Sequence, residues 1–333
     1  MSLKLSYVLP CYNVERYIAD CLDSIYAQDV PEDEFEVICV NDCSTDGTRS
    51  IIVDYLQKHS NLTLIDHTEN LTAGGARNTG ISSARGEYIW FVDPDDLIVH
   101  KRAGIVYEAA KMNDVDVLLF NYEIVDEKKQ FIKKDNSFSD SEVCGGQEFI
   151  VKYFSNDLSS LCIVWRCLFR TTFLKENSLW YPKMLKAEDV SFLWKVMLVA
   201  DRVASEPEVY YVYRRNPFSI GKKDLDSRGL FCERVLFANE ICKILECGGQ
   251  NIKTVIRSDM ERTMRWCVNS VFEIIKRMTR KEQGLFFDDI KSNRGIVRRL
   301  TPYMNRKQKQ VFSIAEGKRL WLLKVRIMSS FNK

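Results

Sequence analysis

The stretch that decides the fold is "YIWFVDPDD", residues 88–96. Five consecutive apolar residues, Tyr88 to Val92, have the length and β-rich composition of a strand buried on both faces. Three carboxylates, Asp93, Asp95 and Asp96, follow at once. Crowded like charges raise one another's pKa unless something positive lies among them. Asp-Pro-Asp is also ordinary turn chemistry, and a lone copy is better read that way. The carboxyl end of a buried strand in an α/β sheet is different, because ligands bind there. Hard oxygen donors at such a place suit a divalent cation that also holds phosphate.

Outward from this strand the chain alternates strand and helix. Strands are expected at 4–10, 35–42, 62–67 and 115–122, and helices at 14–28, 44–59, 73–84 and 101–113. In the first helix Tyr17, Ile18, Cys21, Leu22 and Ile25 recur at helical spacing. Such alternation predicts an α/β fold with a mostly parallel sheet and helices on both faces. Residues 123–160 are polar and irregular and receive no functional assignment. "RCLFRTTFLKEN" (166–177) and "AEDVSFLWKVMLVADR" (187–202) read as helices and "EVYYVYRRN" (208–216) as a strand. From 226 to the end the pattern is helical. A boundary is expected near "GKKDLDSRG" (221–229), giving domain 1–225 and a helical region 226–333.

The formal net charge of +2 conceals a split: residues 1–225 carry a net −10 and residues 226–333 a net +12. The two parts should meet different partners. No apolar run approaches the roughly 20 residues that span a bilayer. "MSLKLSYVLPCYN" is too quickly polar for a signal peptide, so a cytoplasmic protein is expected. Eleven cysteines, an odd number without CxxC pairs, read as reduced and packed thiols. Three histidines make a zinc site a poor fit.

Polar residues stand at the end of each early strand: Pro10-Cys11-Tyr12-Asn13, Asn41-Asp42, Asp66-His67, then the Asp93 cluster. In a parallel sheet these ends share one edge. A ring for a base, one acid for a base N–H, another for ribose and a third for a cation are parts of a nucleotide site. "TAGGARNTG" lacks GxGxxG spacing and no GxxxxGK[ST] occurs, so Rossmann and P-loop readings fit poorly.

Four segments together, "VLPCYNVERYIADCLDSIYAQ" (8–28), "VNDCSTDGT" (40–48), "GGARNTGISSARGEYIWFVDPDD" (74–96) and "EDVSFLWKV" (188–196), resemble the signature segments of glycosyltransferase family 2. These are inverting enzymes of the GT-A fold that use nucleotide-sugar donors. The resemblance covers roughly residues 4–220. It implies that Pro10 and Tyr12 line the nucleobase, that Asp42 contacts uracil, that Asp93 lies near ribose and that Asp95 binds Mn²⁺ or Mg²⁺. Arg77 and Asn78 would stand beside the donor, with ordering of the glycine-rich loop as an equal alternative. Asp189 would be the general base and Glu188 its helper or an acceptor contact. Arg215, with Arg214 or Ser219, could reach the diphosphate; a plain surface strand and turn remains the other reading.

The implied activity is transfer of a hexose or N-acetylhexosamine from a UDP-sugar to a lipid-linked saccharide in cell-surface or capsular polysaccharide synthesis. A catalytically silent assembly subunit of the same fold should have lost one acid pair, and both are intact. Sugar-nucleotide pyrophosphorylases would need an N-terminal glycine-rich loop with a basic residue, which is missing.

Residues 291–333 hold twelve Lys+Arg against one acid, Glu316. Within them, "GKRLWLLKVRIMSSF" (317–331) reads either as an amphipathic helix on an anionic membrane or as a C-terminal helix covering the core. Nucleic acid ranks last, since no fold signature for it appears.

Overall fold

A computed structural model describes residues 3–155, 161–184, 186–216, 226–248, 251–277, 294–306 and 308–309. The chain divides into two compact units, Met1–Lys222 and Lys223–Lys333.

The first unit opens with β1 (Leu5–Cys11), α1 (Ile18–Tyr26), β2 (Phe35–Asn41), α2 (Thr48–Leu56), β3 (Leu62–Asp66), α3 (Thr72–Ser83) and β4 (Tyr88–Phe91). It continues with β5 (Leu97–Ile98), α4 (Ala103–Met112), β6 (Val117–Val125), β7 (Phe131–Lys134) and α5 (Gly146–Phe154). β8 (Cys167–Arg170), α6 (Thr171–Glu176), α7 (Glu188–Val199) and β9 (Val203–Arg214) complete it. One sheet runs in the order β3-β2-β1-β4-β8-β6-β9-β5, with β7 hairpinned on β6. Strands β3, β2, β1 and β4 are parallel neighbours, which puts their carboxyl ends on one edge.

Every residue of β1 and β2 is buried, as expected for strands covered on both faces. Two of the polar side chains this traps, Ser6 and Glu36, satisfy each other: Ser6 Oγ donates to Glu36 at 2.7 Å. Arg85 then donates to the same carboxylate through its backbone N–H and its guanidinium. Helix α1 buries Ile18, Cys21, Leu22 and Ile25 against the sheet. Helix α3 instead approaches through glycine, since a Cβ on Gly80 would lie 2.1 Å from Val8 Cγ1. That close approach brings the side chains of α3 to the edge where the acids stand.

The second half of the sheet is mixed. β8 runs antiparallel to both β4 and β6, inside the stretch 166–177 read from sequence as one helix. Only Thr171–Glu176 is helical. The strand and helix abut with no glycine or proline between them, so nothing in the local chemistry announces the change. Pro10 sits at the end of a central strand, where proline is rare. It is tolerated because pairing of β1 with β4 stops at Val8–Phe91, so little ladder is lost.

In the second unit α8 (Ser227–Gly248) packs on α9 (Thr254–Arg277). Ile256, Met260, Met264, Cys267, Val268 and Val271 form the buried stripe of α9, at helical spacing. A short helix, Arg294–Leu300, follows. Only 294–306 and 308–309 of the basic stretch 291–333 are described, so the expectation for 317–331 lies outside the described residues. Among the described residues no helix is long and apolar enough to cross a membrane. All eleven cysteines are free thiols.

Candidate active site

The turn after β4 divides its three carboxylates between two tasks. Asp96 is fully buried and structural. It accepts from Tyr211 Oη at 2.9 Å and from the Arg214 N–H at 2.8 Å. The same Tyr211 hydroxyl accepts the Asp93 N–H at 3.1 Å, and the Asp96 N–H closes the turn on Asp93 O at 2.9 Å. Desolvation, then the charges of Asp95 and Asp93, hold the Asp96 carboxyl well above the usual range. Anchored in this way, the turn leaves Asp93 and Asp95 partly exposed.

Arg77, on α3 and only 3 % exposed, joins this turn to a distant part of the chain. Its Nη2 donates to Asp93 Oδ1 at 2.8 Å and its Nη1 to Asp189 Oδ1 at 2.8 Å, with Glu188 Oε1 3.5 Å away. Burial opposes the charge of Arg77, but Asp189 and Asp93 outweigh it and keep the guanidinium protonated. One cation thus serves three acids. Desolvation pushes the Asp189 carboxyl well up, against the pull of Arg77 and with the help of Glu188 and Asp93. A carboxylate with raised pKa that keeps 24 % of its side chain exposed has the properties of a general base.

Backbone strain sets the direction of that pair. Ala187, the residue before α7, has φ 63°, a left-handed conformation costly for a residue with a Cβ. It turns the chain sharply so that Glu188 and Asp189 form the first turn of α7 and face Arg77.

At the other strand ends, Pro10 is buried and Tyr12 half-exposed. Asp42 is buried. Its Oδ1 accepts the Leu71 N–H at 2.8 Å and lies 2.7 Å from His67 Nδ1, whose other nitrogen is 2.9 Å from Thr79 Oγ1. Among the described residues no hydrogen bond reaches Asp42 Oδ2. Asp66 stands apart, bound by Arg49 and Asn41. Asn78 makes no contact with the acids: its Nδ2 donates to Tyr181 O at 3.1 Å and its Oδ1 accepts the Tyr181 N–H at 2.8 Å.

Arg215 is exposed, and Ser219 lies outside the described residues. Its neighbour Arg214 is the buried one. Arg214 donates through Nη1 to Asp20 at 3.1 Å and lies over the Tyr17 ring, yet its buried Nε and Nη2 have no hydrogen-bond partner among the described residues. Sequence reading ranked these two arginines together. Tyr210, Tyr211 and Val212 are buried in succession before Arg214 at the strand's last position, so no alternation in the sequence separates them. His67, which contacts Asp42, was marked only by its place at a strand end, and Tyr211, which holds the Asp93 turn, carried no signal of its own.

Asp95 has one described donor, Asn216 Nδ2 at 3.0 Å. Desolvation and the Asp93 charge push its carboxyl up, the mark of a carboxylate short of positive charge. Among the described residues no three His, Cys, Asp or Glu side chains form a metal cage. A divalent ion bound through one carboxylate and the phosphates of a ligand needs no such cage, so Asp95 fits that kind of ion.

Comparison with known proteins bears on the family and the fold. A family model described as "Glycosyl transferase family 2" matches residues 6–177. The chain is 33% identical over 227 residues to the poly(ribitol-phosphate) beta-glucosyltransferase of Bacillus spizizenii, covering 64% of this chain and 33% of that protein. It is 33% identical over 218 residues to the poly(ribitol-phosphate) beta-N-acetylglucosaminyltransferase TarS of Staphylococcus aureus, covering 64% and 36%. The chain thus spans about a third of the length of these curated relatives. The crystal structure of S. aureus TarS 1-349 in complex with UDP matches with a TM-score of 0.62 at 25% identity, over 95% of this chain and 88% of that one. The complex of the same protein with UDP-GlcNAc matches with a TM-score of 0.64 at 24% identity, with the same coverage.

Proposed function

We propose, from the premise that the chain belongs to glycosyl transferase family 2 and has its GT-A fold, that it is an inverting glycosyltransferase taking a hexose or N-acetylhexosamine from a UDP-sugar. The observation that carries this is the meeting of Asp93, at the end of β4, with Glu188 and Asp189, at the start of α7, across Arg77. A donor-side acid and a base of raised pKa, far apart in sequence, are what a direct displacement at the anomeric carbon needs.

In this reading Pro10 and Tyr12 line the base, Asp42 Oδ2 accepts from uracil, and Asp93 receives the ribose hydroxyls. Asp95 would hold Mn²⁺ or Mg²⁺, whose chemistry when bound is to neutralise charge building on the departing UDP. Arg214 offers two unused N–H groups to the diphosphate, with Arg215 exposed beside it. Asp189 takes the proton of the acceptor hydroxyl as that oxygen attacks in line. Glu188 keeps the basicity of Asp189 high or touches the acceptor. Configuration inverts, and no sugar–enzyme bond forms.

The acceptor is a hydroxyl of a lipid-linked cell-surface glycan. Two relatives are named for poly(ribitol phosphate), a polymer rich in hydroxyls, which makes it the first acceptor to test. Domain 1–225 would carry the chemistry and the helical region 226–333 the acceptor or an anionic membrane surface. The twelve basic residues of 291–333 support the latter. The test is to incubate the protein with UDP-glucose or UDP-GlcNAc, Mn²⁺ and poly(ribitol phosphate) or a lipid-linked saccharide, and to read the anomeric configuration of the product by NMR. A β-linked product from the α-configured donor is expected. An α-linked product would remove the direct-displacement mechanism.

A further inference from the structure

Asn78 stands in the glycine-rich helix next to Arg77, yet its side chain faces a backbone rather than the acid cluster. Both ends of its amide grip Tyr181, donating to the carbonyl at 3.1 Å and accepting from the N–H at 2.8 Å. Tyr181 is in turn fixed to α7: its ring lies flat on Phe192, with centroids 3.9 Å apart and planes 7° from parallel. Phe192 is three residues after Asp189, on the same turn of helix. A second strap lies one helical stretch earlier, where Thr72 Oγ1 donates to Met184 O at 3.2 Å. Thr72 has φ 69°, a strained value for a β-branched residue, so this geometry is held at a cost.

Between the two straps the surfaces touch. A Cβ on Gly74 would come within 3.2 Å of Tyr181 Cβ and 3.3 Å of Glu188 Cγ. Helix α3 therefore carries both the guanidinium that holds Asp93 and Asp189 and the side chains that hold the chain entering α7. The separation of the donor-side acid and the base is fixed by one helix.

We infer that Asn78, with Thr72, is a positioning residue for the base Asp189, acting through Tyr181, and does not contact the donor. This rests on the reading of Asp189 as base. A displacement of a reacting group by about 1 Å can cost on the order of 10²-fold in rate, so the straps matter to turnover and not to UDP affinity.

The experiment compares Asn78→Ala, the milder Asn78→Asp, Thr72→Ser and the wild-type chain. UDP affinity is measured by calorimetry with Mn²⁺, turnover at saturating UDP-sugar, and amide hydrogen exchange over Tyr181–Met184 and the first turn of α7. Asn78→Ala should lower kcat by roughly 10–10²-fold with unchanged UDP affinity and donor KM, and should speed exchange in those peptides. Asn78→Asp keeps the acceptor for the Tyr181 N–H and should fall between. Thr72→Ser keeps the hydroxyl and should match the wild type. Loss of UDP affinity with kcat intact would make Asn78 a donor contact and overturn the inference. Unchanged exchange in Asn78→Ala would overturn it too. A wild-type chain that binds no UDP would defeat the proposed function instead, while the exchange data would still decide whether Asn78 holds the Tyr181 segment.

Discussion

Two arginines of the first unit are buried to the same degree, and each keeps a buried Nε with no partner among the described residues, but they differ in how their charge is met. Arg77 is over-supplied with partners: Asp93, Asp189 and Glu188 crowd one guanidinium. Arg214 is under-supplied, with Asp20 on one nitrogen and two others left without a partner among the described residues. Where several acids share one buried cation, desolvation lifts the Asp189 carboxyl against the pull of Arg77, with help from the neighbouring acids, which suits proton transfer. A buried cation with unused donors has lost hydration without replacement, a debt that an oxyanion can settle. In the proposed reaction the first arrangement would serve the acceptor side and the second the departing diphosphate.

The sharpest way to break the contrast is to neutralise the base. Asp189→Asn keeps the shape and one acceptor for Arg77 but cannot take a proton. Transfer should fall by about 10²–10⁴-fold while calorimetric UDP affinity stays unchanged; transfer at the wild-type rate would exclude Asp189 as base. Next in size is Arg77→Met, which strands three acids around an apolar side chain. Loss of one partner from a buried pair costs about 3–5 kcal/mol, and the partial exposure of Asp93 and Asp189 places this case at the low end. Thermal unfolding should show a clear fall in Tm, larger at neutral pH than at acid pH. Desolvation holds the folded Asp189 carboxyl above its unfolded value, so stability is lost as pH rises through the folded value.

Arg214→Met should do the reverse. It removes two unsatisfied donors, so Tm should change far less than in Arg77→Met. UDP affinity should drop by roughly tenfold or more, the range of a charged hydrogen bond. Arg215→Ala, at an exposed position, should leave both nearly unchanged. The smallest effect concerns pH. Because Asp189 is raised well above the ordinary carboxylate value, the acid limb of the kcat profile should lie above about pH 4, and Glu188→Gln should move it down by removing a like charge.

Much of this was legible in the sequence where local chemistry and global placement agree. The strands around Leu5–Cys11, Phe35–Asn41 and Tyr88–Phe91 announce themselves as apolar runs ended by polar residues, and parallel pairing then forces Tyr12, Asp42 and Asp93 onto one edge. The Asp93–Asp189 encounter is not periodic and reached the reader only through the resemblance of whole segments. β8 escaped because "CLFR" runs into "TTFLKE" with no turn residue between them. The division of labour among Asp93, Asp95 and Asp96 escaped because it is set by Tyr211, 115 positions beyond Asp96. For Asn78 the resemblance offered a place beside the donor or a part in ordering the glycine-rich loop, and neither could point to its hydrogen-bond partner, a backbone more than a hundred positions away.

The central claim is tested most directly by titrating the protein with UDP in a calorimeter, with and without Mn²⁺, beside Asp95→Ala. The account predicts that UDP binds at one site per chain, that binding strengthens sharply with metal, and that Asp95→Ala abolishes the metal's contribution. If UDP binds no better with Mn²⁺ than without it, Asp95 holds no ion for the diphosphate; if UDP does not bind at all, the acid-lined edge is not a UDP-sugar site.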